Sequence, residues 1–263
     1  PSSHTLALKK PPRWGLLHMA LHAGGFADMR YTACIELLKG DEDLERLNKQ
    51  LNDPEALKRY RAPYDHYRPA LVPRLLGWFL VACGNLFYGR EPSYLKFRAV
   101  EVIARVPYHS WASAAYTLLT LFYRSEKRAL ELSKVTRFAR LSQDNETMHV
   151  VVISHLCARQ RAGWVRHTLI PMWFAFFYFW WSYILYLINP RYSYELNYLF
   201  EGHAFEQYSR FLETHGDKLR ERPVSSEFLS WYGRHPQNEY EFFLSVRNDE
   251  IIHRNRSIEE IKK

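Results

Sequence analysis

A repeated order of acidic residues and histidines is the feature that most constrains how this chain can fold. One Glu is followed by the pattern Glu-x-x-His, and the same order then occurs a second time. The first copy is Glu101 with Glu146–His149, and the second is Glu201 with Glu250–His253. In a helix, residues three apart lie on the same face, so each Glu-x-x-His pair can present a carboxylate and an imidazole to one metal ion.

The residues around this pattern favour helices over strands. Apolar residues recur at spacings of three and four, and we find no sustained alternation of period two and no Asn-Gly or Asp-Gly hairpin turn. Long helical patterns cover residues 94–123 with a break at Pro107, 126–158, 192–214 and 238–255. We therefore predict an all-α chain built as a di-iron carboxylate four-helix bundle, in which two helix pairs each supply one Glu and one Glu-x-x-His.

Two of the glutamates stand in apolar surroundings. Glu101 lies between Val100 and Val102, and Glu201 follows Phe200. A carboxylate buried among such side chains is costly unless it is paired or bound to a metal. Iron, manganese and zinc all accept this kind of ligand. The alternative to a metal site is that these residues are surface glutamates and internally hydrogen-bonded histidines. Four carboxylates and two imidazoles in this order predict two iron ions, with open positions for O₂.

Two apolar segments indicate contact with a membrane. Residues 169–188 carry no formal charge and contain ten aromatic side chains, and residues 71–89 contain a single charge, Arg74. At about 1.5 Å per residue, twenty residues just span a bilayer core of about 30 Å. Three interpretations of 169–188 stay open: a bundle helix with one membrane-facing side, a core helix, and a spanning helix. Aromatic residues fill the whole segment instead of its ends, which favours the first, interfacial (monotopic) interpretation.

We divide the chain into three parts. Residues 1–70 are polar, basic and rich in proline, and we predict an N-terminal arm with short helices. Residues 71–256 form the bundle domain, and residues 257–263 a C-terminal tail. The net charge of +8 favours an anionic partner such as lipid headgroups, and no nucleic-acid-binding motif is present. Because the chain begins at Pro1, we expect its start to have been trimmed.

Five stretches of the sequence resemble the motifs of the alternative oxidase family, which are membrane-bound di-iron quinol oxidases. The closer similarity is to the plastid terminal oxidase branch, and it extends over about residues 75–256. The matching stretches are Glu101–Tyr108 (EVIARVPY), Asn145–His149 (NETMH), Ile188–Arg191 (INPR), Glu201–Tyr208 (EGHAFEQY) and Arg247–His253 (RNDEIIH).

The resemblance implies a role for each matched position. The iron ligands would be Glu101, Glu146, His149, Glu201, Glu250 and His253. Tyr208 matches the active-site tyrosine of the family and is the predicted catalytic residue. Asn145 and Asp249 are each adjacent to a ligand Glu and match positions that orient ligands by hydrogen bonding.

The predicted quinol pocket contains Lys96, Arg98, Ala204 and Gln207, and here the sequence departs most from the family. Ala204 matches a small pocket residue. Gln207 stands where the family has Thr, and Lys96 stands where the mitochondrial branch has Arg, with Arg98 nearby. Gly202 replaces a second Glu. These departures leave the quinol head group open between plastoquinol and ubiquinol.

The resemblance implies a quinol oxidase that reduces O₂ to water without pumping protons and is insensitive to cyanide. Its partners would be quinol, O₂ and a lipid surface, and it would act as a homodimer or as a subunit of a larger membrane complex. The membrane would be the plastid thylakoid or the mitochondrial inner membrane, with a cyanobacterial-type membrane as a third option. Two alternatives remain. The first is a structural subunit of a respiratory or photosynthetic complex, which the departures from the family at Gly202 and Gln207 favour. The second is another di-iron enzyme, such as a quinone-biosynthesis hydroxylase.

Overall fold

The computed structural model describes residues 42–158 and 160–262. Within these residues the chain is helical and contains no β-strand, apart from one isolated bridge between Pro223 and Asn238. The all-α prediction is therefore confirmed. The first 41 residues, which make up most of the predicted arm, lie outside the described residues.

Ten α-helices follow one another along the described part of the chain. They are α1 (Glu42–Gln50), α2 (Pro54–Asp65), α3 (Leu71–Tyr88), α4 (Tyr94–Ala104), α5 (Val106–Phe122), α6 (Glu126–Leu156), α7 (Ile170–Ile188), α8 (Pro190–Arg220), α9 (Glu227–Tyr232) and α10 (Glu239–Lys262). A π-helical turn, Val165–Leu169, leads directly into α7.

Side-chain caps and prolines set several of the helix boundaries. The side chain of Ser93 accepts a hydrogen bond from a backbone N–H of the first turn of α4, and Asn189 does the same for α8. Pro190 is the first residue of α8, where its missing N–H costs nothing. The predicted break near Pro107 is also found, since α4 ends at Ala104 and α5 begins two residues later.

Helices α4, α6, α8 and α10 form the bundle that surrounds the candidate site. Helix α8 packs along α10, and α6 packs against α4 and α5. Helix α7 packs against α4, α5 and α8, and α3 packs against α8. The interior on one side of the site is strongly aromatic, with Phe97, Tyr208, Phe211 and Phe243 in one buried cluster. These side chains keep water away from the centre of the bundle.

The described parts of the predicted arm and of the predicted tail are helical and packed on the bundle. Leu44 of α1 and Leu51, the residue that follows α1, share a buried cluster with Ile251 of α10. Residues 257–262 form the last turns of α10. The helix continues because Ser257 and Ile258 are buried, and the Ser257 hydroxyl donates a hydrogen bond to the carbonyl of His253.

Two helical segments are long and apolar enough to cross a membrane by length and composition: Leu71–Tyr88 and Val165–Ile188. Helix α7 buries Tyr178, Ser182 and Tyr186 against the bundle, and its other side is exposed, so it is not a core helix buried on all sides. Large apolar side chains on both segments are exposed, among them Leu75, Trp78, Leu86, Trp173, Phe176 and Ile188.

Candidate metal centre

The six residues of the repeated pattern meet at the centre of the bundle. Helix α4 supplies Glu101, α6 supplies the first Glu-x-x-His pair, α8 supplies Glu201 and α10 supplies the second pair. All six side chains are buried. Their oxygen and nitrogen atoms form two overlapping groups, each with all atoms within 4.8 Å of one another. The first group is Glu101, Glu146, His149 and Glu250, and the second is Glu146, Glu201 and His253.

Glu146 belongs to both groups and lies between the two imidazoles. Its Oε2 is 3.2 Å from Nδ1 of His149, and its Oε1 is 2.7 Å from Nδ1 of His253. Nδ1 of His149 also lies 3.5 Å from Glu101 Oε2 and 3.4 Å from Glu250 Oε1. One carboxylate that reaches towards two imidazoles is the arrangement needed to bridge two metal ions.

Several polar atoms of the cluster are buried without a hydrogen-bond partner. Within the described residues these atoms are Glu101 Oε2, Glu146 Oε1, both carboxylate oxygens of Glu250 and both ring nitrogens of His253. Glu146 Oε1 and His253 Nδ1 are close to each other but are not aligned as a hydrogen bond. A buried unsatisfied polar atom costs about 1–3 kcal/mol, so a group of six is far outside what a folded protein normally tolerates. Divalent cations coordinated by these atoms would remove the cost, and the residues therefore fit a two-metal centre of the carboxylate–imidazole type.

The electrostatics of the cluster also favour cations. Burial raises the pKa of Glu101 to about 7. Burial and three neighbouring carboxylates raise the pKa of Glu250 well above its ordinary value, and burial followed by the charge of Glu146 raises that of Glu201. Burial alone would raise the pKa of Glu146 too, but the two imidazoles lower it. Such a site holds protons or metal ions to offset its negative charge.

Asp249 and Asn145 support the cluster from outside, next to the ligand positions as predicted. Asp249 Oδ2 lies 2.9 Å from Nε2 of His149 and accepts a hydrogen bond from Asn145 at 3.2 Å. Burial would raise the pKa of Asp249, but the guanidinium of Arg234 and the hydrogen bond with His149 hold it well below its usual range. Arg234 was not predicted, because it lies in a loop with no periodic pattern.

Two tyrosines hydrogen-bond to glutamates of the cluster. Tyr208 donates a short hydrogen bond to Oε1 of Glu101, and its ring stacks on Phe97 with centroids 4.1 Å apart. Tyr108 donates to Oε1 of Glu201 at 2.7 Å. Burial and the nearby carboxylate charges raise the pKa of both phenols well above the ordinary value, so both stay protonated. The role of Tyr108 was not predicted, although it closes the EVIARVPY stretch.

A largely apolar cavity of about 100 Å³ adjoins the cluster. Its wall includes Glu101, Glu201 and Tyr208, and it extends between α3, α4, α7 and α8. Lys96, Ala204 and Gln207, three of the four residues of the predicted quinol pocket, line this cavity. Nζ of Lys96 donates a hydrogen bond to Oε1 of Gln207 at 2.9 Å.

Arg98, the fourth residue of the predicted quinol pocket, does not line this cavity. Two residues after Lys96, Arg98 points to a different side of α4, because successive helical residues turn by about 100°. It donates a hydrogen bond to the carbonyl of His167 in the π-helical turn. His203 lines the cavity instead, and burial lowers its pKa.

A family model described as alternative oxidase matches residues 83–259, which is more than half of the chain and contains the whole cluster. The chain belongs to the alternative oxidase family. It is also similar to ubiquinol oxidase 4, chloroplastic/chromoplastic, of Arabidopsis thaliana, with 25% identity over 184 residues. The aligned part covers 62% of this chain and 50% of that relative, so the chain spans about half the length of the curated relative. These findings confirm the resemblance found in the sequence motifs, including the closer similarity to the plastid branch.

Proposed function

We propose that this alternative oxidase oxidises quinols and passes their electrons to O₂ at the buried cluster. Two quinols supply four electrons and four protons, and one O₂ accepts them to give two waters. The observation that carries the proposal is the set of buried, unpartnered carboxylate and imidazole atoms beside an apolar cavity. Family membership and the name of the plastid relative support the same reaction.

Two iron ions are the proposed cofactor. Glu101, His149 and Glu250 would hold one ion, Glu201 and His253 the other, and Glu146 would bridge them. When bound, the irons supply the redox chemistry of O₂ reduction. The carboxylates keep the centre close to neutral, and the aromatic interior limits the access of water.

Tyr208 is the proposed catalytic residue. Tyr208 lines the cavity, and its hydroxyl donates a hydrogen bond to Glu101 Oε1. When the phenol gives an electron to the reduction of O₂, this carboxylate is in place to accept the phenol proton. An electron and a proton from quinol would restore the phenol.

Quinol is proposed to bind in the apolar cavity with its ring near Tyr208. The side-chain amide N–H of Gln207 can donate to a quinol oxygen, and Ala204 leaves room for the ring. Lys96 holds this amide in place, because its ammonium donates to Gln207 Oε1 and also to Asn85 and Arg90. Both plastoquinol and ubiquinol present two oxygens on opposite sides of a ring, and both fit this arrangement of groups.

The protein is proposed to lie on one face of an organellar membrane, thylakoid or mitochondrial, without crossing it. The exposed apolar side chains of α3 and α7 would dip into the lipid, as in interfacial helices. Leu80 of α3 and Phe174 of α7 line the cavity, so quinol dissolved in the lipid could enter between these helices. Oxidation on one face of the membrane would pump no protons.

The test is quinol-dependent O₂ uptake by the purified protein with cyanide present and iron counted. We expect uptake with plastoquinol or ubiquinol analogues and two irons per chain. Iron-loaded protein that consumes no O₂ with either quinol would contradict the proposal. A purely structural role is not favoured, because unused buried carboxylates would be costly to keep.

A further inference from the structure

Arg234, in the loop between α9 and α10, is a buried arginine with carboxylates on both sides. Its Nε donates to Oε1 of Glu45 on α1 at 2.8 Å. Its two terminal nitrogens donate to the two oxygens of Asp249, one of them at 2.9 Å and the other closer still. A bidentate fork of this kind is the strongest and most directional ion pair available to a protein.

The fork determines what Asp249 can do for the neighbouring histidine. Asp249 also accepts a hydrogen bond from Nδ2 of Asn48 at 2.6 Å, so both of its oxygens are occupied as acceptors. A carboxylate that is held as an anion cannot donate. The 2.9 Å contact with His149 therefore requires a hydrogen on Nε2 of the imidazole. In the neutral imidazole, the form that binds a metal, the free electron pair is then on Nδ1, the nitrogen that faces Glu101, Glu146 and Glu250.

The second histidine of the cluster is not supported in this way. In the part of the chain that the structure describes, neither ring nitrogen of His253 has a hydrogen-bond partner. Its ring makes an edge contact with Tyr108, with centroids 5.4 Å apart. Nδ1 of His253 lies 2.7 Å from Glu146 Oε1, inside the cluster, but no group among the described residues holds its Nε2 from outside. Nε2 of His149, in contrast, is held by Asp249.

We propose that Arg234, anchored by Glu45, is a positioning residue that fixes the orientation and tautomer of His149. As a result, the metal position on the His149 side binds a divalent cation more tightly than the position on the His253 side. This inference rests on the metal centre of the proposed function, but it does not depend on quinol oxidation.

The test is a titration of the metal-stripped full chain with Co²⁺, followed by visible absorption. Wild type should bind two ions in two steps, the first at least about tenfold tighter. Loss of a residue that orients a ligand typically lowers metal affinity about 10–100-fold. Arg234→Met should weaken the His149 position by about tenfold and leave the His253 position unchanged, so that the two constants become nearly equal. Arg234→Lys, which keeps the charge but loses the fork, should fall between wild type and Arg234→Met.

Arg254→Met is the matched control. Arg254 is equally buried, at 6% exposed, and lies next to His253, but its ion pair is with Asp65 of α2 at 2.8 Å. This variant should lower thermal stability and leave both Co²⁺ constants unchanged. If Arg234→Met does not fold, Glu45→Gln removes only the anchor and should weaken the first step a few-fold.

Equal Co²⁺ binding constants for the two steps in wild type would overturn the inference. So would an Arg234→Met variant in which neither step changes or both weaken equally. If Arg234→Met does not fold, unchanged Co²⁺ constants in Glu45→Gln would overturn it. Protein that shows the expected split constants but oxidises no quinol would contradict the proposed function and leave the role of Arg234 standing.

Discussion

At the scale of single residues, Glu146 is the ligand candidate on which both halves of the centre depend. It is the one member shared by both groups of the cluster, and each of its oxygens faces a different imidazole. The two imidazoles hold its pKa below the ordinary value, so it stays ionised while the pKa values of its neighbours are raised.

Replacing this carboxylate should dismantle the centre. Glu146→Gln keeps the shape of the side chain but removes its charge, so bound iron should fall from two per chain to one or fewer and quinol oxidation should vanish. Glu131→Gln on the exposed side of the same helix is the control and should change neither value. Iron analysis and O₂ uptake measure the outcome; two irons in Glu146→Gln would argue against a bridging role.

Tyr208 can be separated from the ligands by a smaller change. Tyr208→Phe removes the hydroxyl that donates to Glu101 and keeps the stacked ring. Iron content should stay at two, whereas O₂ uptake should fall at least about tenfold, or about 1.4 kcal/mol on the barrier.

The control for Tyr208 is Tyr178→Phe. Tyr178 lines the same cavity and is buried, but among the described residues its hydroxyl has no hydrogen-bond partner. Its loss should leave O₂ uptake within about twofold of wild type, since no positioned proton is removed. Full activity in Tyr208→Phe would show that this tyrosine has no redox role.

At the scale of secondary-structure elements, α3 and α7 each have one side on the bundle and one side open. Trp78 on α3 is 73% exposed. If this side enters lipid, Trp78→Glu should weaken binding to vesicles at least about tenfold, because burying a large apolar side chain contributes about 1.5–3 kcal/mol. Thermal stability should hardly change. Co-flotation with liposomes measures the binding.

The matched control for the membrane surface is Leu130→Glu. Leu130 is also exposed and apolar, at 58%, but it lies on α6, away from the two apolar segments. Its replacement should leave vesicle binding as in wild type. Equal losses in both variants would mean that general hydrophobicity, and not the surface of α3 and α7, drives the binding.

The end of α10 gives a test of how firmly residues 257–262 are packed on the bundle. Ile258 is buried, so Ile258→Ala should leave a cavity and lower the free energy of unfolding by about 2–5 kcal/mol. Lys262→Ala, one turn later and exposed, should change it by less than about 0.5 kcal/mol. Chemical denaturation measures both, and an unaffected Ile258→Ala would restore the tail interpretation.

Helix boundaries and ligand candidates were predictable because both depend on local sequence. Caps such as Asn189 and prolines such as Pro107 act within one turn, and the Glu-x-x-His spacing identifies a shared helix face without any tertiary information. The last turns of α10 were missed because they are mixed with charged residues, and only contacts with α8 explain their burial, such as the hydrogen bond from Asn197 to Ser257.

At the scale of the whole molecule, the parts that could not be predicted are those that join distant segments. Asn48 and Asp249 are 201 positions apart, yet they are hydrogen-bonded at 2.6 Å. The guanidinium of Arg234 connects the same aspartate to Glu45 of α1. The described part of the predicted arm is therefore an outer support of the metal centre, which no periodicity or motif indicates.

The whole arrangement unites an exposed apolar surface, an apolar cavity and a buried cluster of carboxylates and imidazoles. Quinol would enter between α3 and α7, meet Tyr208, and deliver its electrons to the irons held by α4, α6, α8 and α10. Each step uses groups that lie next to one another in the structure, so the complete four-electron reduction of O₂ is the central claim.

The most direct test of this claim is the ratio of quinol oxidised to O₂ consumed by the iron-loaded protein, with catalase added to report any peroxide. Complete reduction predicts two quinols per O₂ and no effect of catalase on net O₂ uptake. One quinol per O₂, with half of the O₂ returned by catalase, would show that reduction stops at peroxide and would contradict the account.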